Sequence, residues 1–600
     1  MPLGLGAAAA ITAGIAAAAL LLLGSALASS AAPRMAATAM AAQGSEGPAE
    51  VHGHHSAALM EMGPASASGA GGFWGAGPAG DGIAASRSRG ANPATLIGAG
   101  LGAPPAGTLI RFGPDRAIQG AAPAAGGGLR AFYGVPYGTA RRWEAPRPRS
   151  WNGTLDATLL TACCPAPELA ATDGLQMDED CLRLTIFAPS EAAGASPWPV
   201  LVWLFGGAYV AGGAWELSAE SVRHLVTLHR IVIVVPDTRV GVFGYLGSDR
   251  LRRNSTGNWG TLDQVMALEW VREHVSAFRG DPSRVVLGGW SSGAAAASVL
   301  LTMPRARGLF RGALMMSGGF THWATVNLPS AEATYDALLR RTGCAASQAC
   351  QAAGPPCACL LELPWRDLNA AQMQPERLNW APVIDQATLE EAPAMALEQR
   401  GVVAAVPVML GSTAEDAFPA LGTEATEADF SAWLDALVPR QDLVRAIDLY
   451  LGAGRGPRLD WVHNGASPAY WASRRAAADR GSTCVARRVA RLWPTEAWQY
   501  LWRARFRGES TPGYGPGAAH SSDQHFLFQT SMPKAWQAEA AALQDDVASF
   551  VRDLRPSRPW PSGGGVGVIF EEDGKGVASI RQAQCDFWDQ VRGLGQAAKS

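Results

Sequence analysis

Charge is scarce in this 600-residue chain. Only 17% of its residues are Asp, Glu, Lys or Arg and the formal net charge is −3, whereas an average soluble domain is roughly a quarter charged. There is no basic excess to grip a nucleic acid backbone and no acidic tail to attract a cationic partner. Zinc-finger spacing is also missing. The nine cysteines fall at 163, 164, 181, 344, 350, 357, 359, 484 and 585, with no histidines at matching intervals. Disulfide bridges are therefore the expected use, and the odd count leaves at least one thiol unpaired or paired to another chain. Internal repeats are absent, and so is a hydrophobic C-terminal tail of the kind that precedes a GPI anchor.

The apolar segment MPLGLGAAAAITAGIAAAALLLLGSALA (1–28) carries no charged side chain and ends in Ala26-Leu27-Ala28. A secretory signal peptide is expected. The alternative is an uncleaved membrane anchor, favoured by the length of the run and by the lack of a basic start. Residues 29–106 are Ala, Gly, Pro and Ser with few large side chains. Such a stretch buries too little apolar surface to offset chain entropy and reads as a disordered spacer. Its HGHH tract (His52, His54, His55) reads as solvated low complexity rather than a metal site. Secretion would place the cysteines where disulfides persist. It would also make Asn152-Gly153-Thr154 and Asn254-Ser255-Thr256 candidate glycosylation sites, at Asn152 and Asn254.

From residue 107 to 600 the character changes. Short apolar runs appear at PVLVWLF (199–205), RIVIVV (230–235), RVVLGG (284–289) and VPVMLG (406–411), each bounded by Gly, Pro or Asp. Runs without alternation predict strands covered on both faces, the habit of parallel sheets. Between them, TLDQVMALEWVREHVSAF (261–278) has helical periodicity at Leu268, Val271 and Val275. The alternation predicts an α/β fold, a mostly parallel sheet with helices on both faces and ligands at the carboxyl ends of its strands.

One of these strands runs into Gly-Trp-Ser-Ser-Gly and then an alanine-rich helix, VVLGGWSSGAAAASVLL (285–301). A serine hydroxyl is a weak nucleophile unless it is held in an exposed place beside a base. A sharp strand-to-helix turn provides that place. Small residues at Gly289 and Gly293 permit the bend, and the helix start supplies the Ser292 amide beside Ser291. Upstream, WLFGGAYVAGG (203–213) follows an apolar strand and offers the amides of Gly207 and Ala208 as further donors to an oxyanion.

Several segments occur in an order and at a spacing that resemble the type-B carboxylesterase family, which includes cholinesterases and neuroligins. They are FYGVPYG (132–138), DEDCLRLTIFAP (178–189), PVLVWLFGGAY, DTRVGVFGYL (237–246), GNWGTLDQVMALEWV (257–271), FRGDPSRVVLGGWSSG (278–293) and GLFRGALMMSGG (308–319). The resemblance covers most of the chain from about residue 107 and implies the α/β-hydrolase fold, with triad members in the order Ser, acid, His. PVMLGSTAEDAF (407–418) resembles the strand and loop that carry the acid. Counting places Asp416 there, and a one-residue slip would make it Glu415. GAAHSSDQHFLF (517–528) resembles the histidine loop, with His520 in the triad position and Asp523 and Phe526 matching the family's residues beyond the histidine. His525 and His322 have no matching role. The resemblance also implies a bridge from Cys484 to Cys585 and one from Cys181 back to Cys163 or Cys164. Cys344 would close a short loop to Cys350, Cys357 or Cys359, of which Cys359 is taken as the candidate.

The departures matter too. Trp290 stands where the family usually has glutamate, Phe205 where many members have histidine or tyrosine, and Ala208 where glycine is usual. The segment from Cys164 to Cys181 holds no tryptophan, the residue with which cholinesterases grip a quaternary ammonium, which argues against choline esters. The reading is a secreted serine esterase acting on carboxylic esters of small-molecule or lipid type, needing neither metal nor cofactor and binding no nucleic acid. The alternative is an inactive, neuroligin-like binding protein on the same fold. Oligomeric state is not readable.

Overall fold

In the computed structural model the described residues run from 108 to 592, apart from 113, 123–126, 168–174, 191–196, 252–256, 352–356, 374–377, 403, 453–464, 505–516, 529–535, 558–559 and 572–573. The segment 1–28, the spacer with its HGHH tract and Asn254 lie outside them. A sheet of ten strands organises the chain: β1 (Leu129–Pro136), β2 (Arg183–Pro189), β3 (Trp198–Leu204), β4 (Val232–Pro236), β5 (Gly280–Trp290), β6 (Gly312–Met316), β7 (Val408–Thr413), β8 (Ala497–Trp502), β9 (Val566–Glu571) and β10 (Gly574–Ser579). Their order across the sheet is β10-β9-β8-β7-β6-β5-β3-β4-β2-β1. The strands from β9 to β4 run parallel, while β1, β2 and β10 pair antiparallel at the two edges.

The apolar runs lack alternation because neither face of the sheet meets water. Val200, Val202 and Leu204 of β3 enter one core, with Val265 and Leu268 of α2 (Trp259–His274) and Ala295 and Val299 of α3 (Ser292–Thr302). Leu201 and Trp203 enter the other, with Leu225 and Val226 of α1 (Arg223–Thr227) and Leu543, Val547 and Phe550 of α6 (Gln537–Asp553). Two further helices bear on the site, α4 (Pro468–Ala478) and α5 (Ser522–Phe528).

Boundaries differ from the sequence expectation by a few residues. Strand β5 starts four residues before the expected 284, and the helical pattern at 261–278 is α-helix only to His274. A 3₁₀ turn then spans Val275–Phe278 and ends on Arg279 in the left-handed region, φ 67°. The chain passes from β3 to β4 on one side of the sheet and then to β5 on the other. That reversal opens a crevice at the carboxyl ends of β3 and β5, where open α/β sheets take their ligands.

Four disulfides close local and distant loops: Cys164–Cys181, Cys344–Cys359, Cys350–Cys357 and Cys484–Cys585. The pair Cys350–Cys357 nests inside Cys344–Cys359. Cys163 remains a buried thiol; burial, reinforced by Asp237, pushes it up to about 12, so it is protonated and unreactive at neutral pH. The bridge spanning 101 residues has the largest entropic effect on the unfolded chain, about 4 to 5 kcal/mol in the loop-closure account. Asn152 is exposed. Among the described residues no helix is long and apolar enough to cross a membrane.

Candidate active site

Strand β5 ends at Trp290 and α3 begins at Ser292, which leaves Ser291 at the bend with φ 53° and ψ −125°. A residue with a Cβ rarely adopts positive φ, and it persists only where the surroundings over-determine it. Here they do. The Ser291 amide donates to the Met316 carbonyl of β6 at 2.8 Å, and the Ser291 carbonyl accepts from Ala295 at 3.0 Å. A Cβ at Gly318 would lie 2.0 Å from that same carbonyl oxygen, and one at Gly293 would lie 2.1 Å from the Leu204 oxygen of β3. Gly289 and Gly293 also meet each other, a Cβ on the first falling 2.5 Å from the carbonyl carbon of the second. These glycines press the bend against both neighbouring strands.

Across the crevice, the loops after β7 and before α5 bring two more side chains to Ser291. His520 places Nε2 2.9 Å from Ser291 Oγ and Nδ1 2.7 Å from Asp416 Oδ1. With Nδ1–H donating to the carboxylate, Nε2 is the nitrogen left to accept the serine proton. Asp416 is wholly buried, and Thr413 Oγ1 donates to its Oδ1 at 3.1 Å. Burial alone would raise its pKa. The facing His520, helped by the hydroxyls of Ser482 and Ser317, more than offsets that and leaves the carboxyl below its usual range.

Glu415, the alternative acid, turns elsewhere. Its Oε1 meets Arg475 Nε of α4 at 3.1 Å and its Oε2 accepts the Ala518 amide at 2.9 Å. Its backbone pairs with Ala518 and Ala519, and Arg474 of α4 donates to its carbonyl at 2.9 Å. The neighbouring carboxylates thus face different partners: only Asp416 reaches the histidine ring.

The turn after β3 supplies the remaining backbone. Gly207, Ala208 and Tyr209 have φ of 107°, 57° and 60°, and the Gly207 carbonyl accepts the amides of Val210 and Ala211 at 2.9 and 3.1 Å. Among the described residues no backbone carbonyl accepts from the Gly207 or Ala208 amide. Beneath this turn a cavity of about 10 Å³ touches Phe205, Thr238, Gln264 and Ser292; it has room for about one water. The next loop is tied by two carboxyls. Asp237 Oδ1 accepts the Ala214 amide at 2.8 Å and Glu216 Oε1 that of Gly213 at 3.4 Å. Neither forms an ion pair among the described residues. Burial raises Asp237 to about 7 and Glu216 to about 8.

Aromatic side chains surround the reacting groups. The Trp290 ring, buried on β5, lies 5.4 Å from the His520 ring, and Phe418 lies 6.1 Å from it. A Cβ at Gly206 would fall 2.6 Å from the Trp290 ring, so glycine there makes room for the indole. Asp523 of α5 accepts the Tyr500 hydroxyl at 2.7 Å, and burial raises it to about 6. His525 is half-buried and lowered to about 4 by desolvation, apart from Ser291 and Asp416, and His322 is exposed. Sequence reasoning missed Thr413, Ser482, Ser317, Arg474 and Arg475. A hydroxyl at a strand end or an arginine on a helix has no motif to mark it. Among the described residues no cluster of His, Cys, Asp and Glu is placed to bind a metal ion.

The comparisons with known proteins agree with this architecture. Mus musculus thyroglobulin is 28% identical over 510 residues, 76% of this chain and 18% of its own length. Para-nitrobenzyl esterase of Bacillus subtilis is 32% identical over 300 residues, 48% of this chain and 60% of the esterase. Sus scrofa thyroglobulin is 36% identical over 307 residues, 48% of this chain and 10% of its own. The chain therefore spans less than two thirds of the length of each of these relatives. The profile of the carboxylesterase family matches residues 116–554, through the strand ends that carry Ser291, Asp416 and His520. That match, covering well over half the sequence, makes the chain a member of the carboxylesterase family.

Proposed function

We propose that this protein is a serine esterase of α/β-hydrolase fold that hydrolyses carboxylic esters through an acyl-enzyme. The observation that carries the reading is the hydrogen-bonded chain Asp416–His520–Ser291, 2.7 and 2.9 Å, ending on a serine held at positive φ. Ser291 Oγ attacks the acyl carbon while His520 Nε2 takes its proton and then returns it to the departing alcohol. Asp416 holds the tautomer and balances the imidazolium. The amides of Gly207, Ala208 and Ser292 receive the oxyanion, each such donor worth about 3 kcal/mol of barrier. Water then attacks the acyl-enzyme with His520 again as base. The ordered sheet with the nucleophile after β5 and the oxyanion turn after β3 supports the fold assignment.

The Trp290 and Phe418 rings beside His520 favour an apolar acyl chain. Four disulfides support secretion, since such bonds persist in oxidising compartments; Asn152 and Asn254 are then glycan acceptors.

A burst titration with p-nitrophenyl acetate and octanoate tests the reading. The expected outcome is a stoichiometric burst, faster for octanoate, that vanishes in Ser291→Ala together with about 10⁶-fold of the turnover. A folded wild-type protein with no burst on either ester would replace it with the binding-protein reading. Equal rates on the two esters would refute the apolar acyl preference alone.

A further inference from the structure

We propose that Glu415 is a positioning residue for the triad: with Arg475 it clamps the acid loop to the histidine loop and so sets the Asp416–His520 distance. The proposal rests on the esterase reading and names a determinant of its geometry.

Glu415 and Ala518–Ala519 come one step before Asp416 and His520. The two loops are stapled there twice: the Glu415 amide donates to the Ala518 carbonyl at 3.0 Å, within a parallel bridge that pairs Glu415 with Ala519, and the Ala518 amide donates to Glu415 Oε2 at 2.9 Å. The next residue on each strand of this staple is a triad member. The carboxylate is aimed by Arg475 Nε at 3.1 Å, and the loop backbone is fixed to α4 by Arg474, which donates to the carbonyls of Glu415 at 2.9 Å and Ala417 at 3.3 Å. Gly517 enters this contact at φ 90°, and a Cβ there would come 3.0 Å from Glu415 Oε2.

Stability alone does not account for such a pair. The Glu415 side chain is 0% and that of Arg475 5% exposed. Desolvating two charges offsets most of their attraction, so apolar replacement of both is often neutral for folding. Geometry is another matter: a displacement of about 1 Å between reacting groups costs about 100-fold in rate. The clamp therefore acts on alignment. The requirement is an acceptor for the Ala518 amide held in place by a partner, not the charge itself.

The test compares two double variants of the full protein. Glu415→Met with Arg475→Met removes the acceptor, and Glu415→Gln with Arg475→Gln keeps an amide oxygen for Ala518 and a neutral partner behind it. The readouts are kcat and KM on a p-nitrophenyl ester and the low-field proton resonance of the His520 Nδ1–H bonded to Asp416. The methionine pair should lose about 100-fold in kcat with KM within about threefold, and should lose the resonance. The glutamine pair should recover kcat to within about tenfold of wild type and restore the resonance. A folded methionine pair with kcat and resonance intact overturns the clamp, and so does a folded glutamine pair as impaired as the methionine one. If the methionine pair does not fold, the glutamine pair decides by presence or loss of the resonance. A wild type without a burst sinks the esterase reading, and the resonance still tests the clamp.

Discussion

The two halves of the site are held by different means. On the serine side the position is enforced by backbone against backbone: Gly289 on Gly293, Gly293 on Leu204 and Gly318 on Ser291. On the acid and histidine side two loops with no sheet or helix of their own carry Asp416 and His520, and side chains join them, Glu415 to Ala518 and Arg475, Thr413 to Asp416. The buried carboxyls divide the same way. Glu415 has a guanidinium against it, whereas Asp237 and Glu216, behind the turn after β3, bond only amides among the described residues and are raised toward neutrality by burial. A loop can be held by a paired charge or by an acid that prefers its proton, and the two respond differently to pH and substitution.

The largest effect that separates the halves is expected from adjacent carboxylates. Asp416→Asn leaves a side chain of the same shape but presents an amide where the histidine requires an acceptor, so the wrong tautomer is favoured. About 10⁴-fold in kcat should be lost, with folding unchanged. Measuring kcat, KM and Tm for this variant locates the loss. A drop below about tenfold would mean that another group serves the histidine, and the contrast between Asp416 and Glu415 would collapse.

Gly293→Ala addresses the serine half. A methyl there would sit 2.1 Å from the Leu204 oxygen and 2.6 Å from the Phe205 oxygen, both backbone atoms that cannot swing aside. Either α3 or the oxyanion turn must shift, so a loss of a few kcal/mol in stability is expected together with a fall in kcat. Denaturant unfolding and the burst amplitude are the measurements. Unchanged values in both would show that this half tolerates movement and is no more rigid than the other.

The same division explains what was legible in the sequence. The serine half was readable because backbone demands leave residue types behind: Gly289 and Gly293 two positions to either side of Ser291, glycine in the turn after β3, apolar runs for strands buried on both faces. His520 was marked by its motif. The acid lies in a loop where counting could not separate Asp416 from Glu415, and only the direction of each side chain does so. Arg475 sits 60 residues from Glu415 in sequence, and no local pattern announces the pair. The cysteines show the same limit. Their number and context indicated bridges, but whether Cys163 or Cys164 faced Cys181 depended on which way each of two adjacent side chains points. The antiparallel edges of the sheet left a weaker signal, because β1 is broken by a bulge between Phe132 and Val135, and β10 has two glycines in six residues.

The smallest expected effect concerns the carboxyls that form no ion pair among the described residues. Asp237 is raised from 3.8 to about 7, mainly by burial, with the Ala214 amide and Arg183 working against it. Because the folded state binds this proton more tightly than the unfolded chain, its contribution to stability is fully present below the unfolded pKa. That contribution declines as pH rises from about 4 and is lost above about 7, at no more than about 1.4 kcal/mol per pH unit. Asp237→Asn cannot titrate and should flatten this slope, whatever it does to absolute stability through the altered bond to Ala214. Asp416 behaves in the opposite sense because its pKa is lowered: its contribution is present above the unfolded pKa and lost as pH falls through the folded one. Urea unfolding of wild type and Asp237→Asn from pH 4 to 8 gives the difference directly. A wild type and variant with parallel pH profiles would show that Asp237 stays ionised throughout, and the oxyanion side would then be held by charge just as the histidine side is.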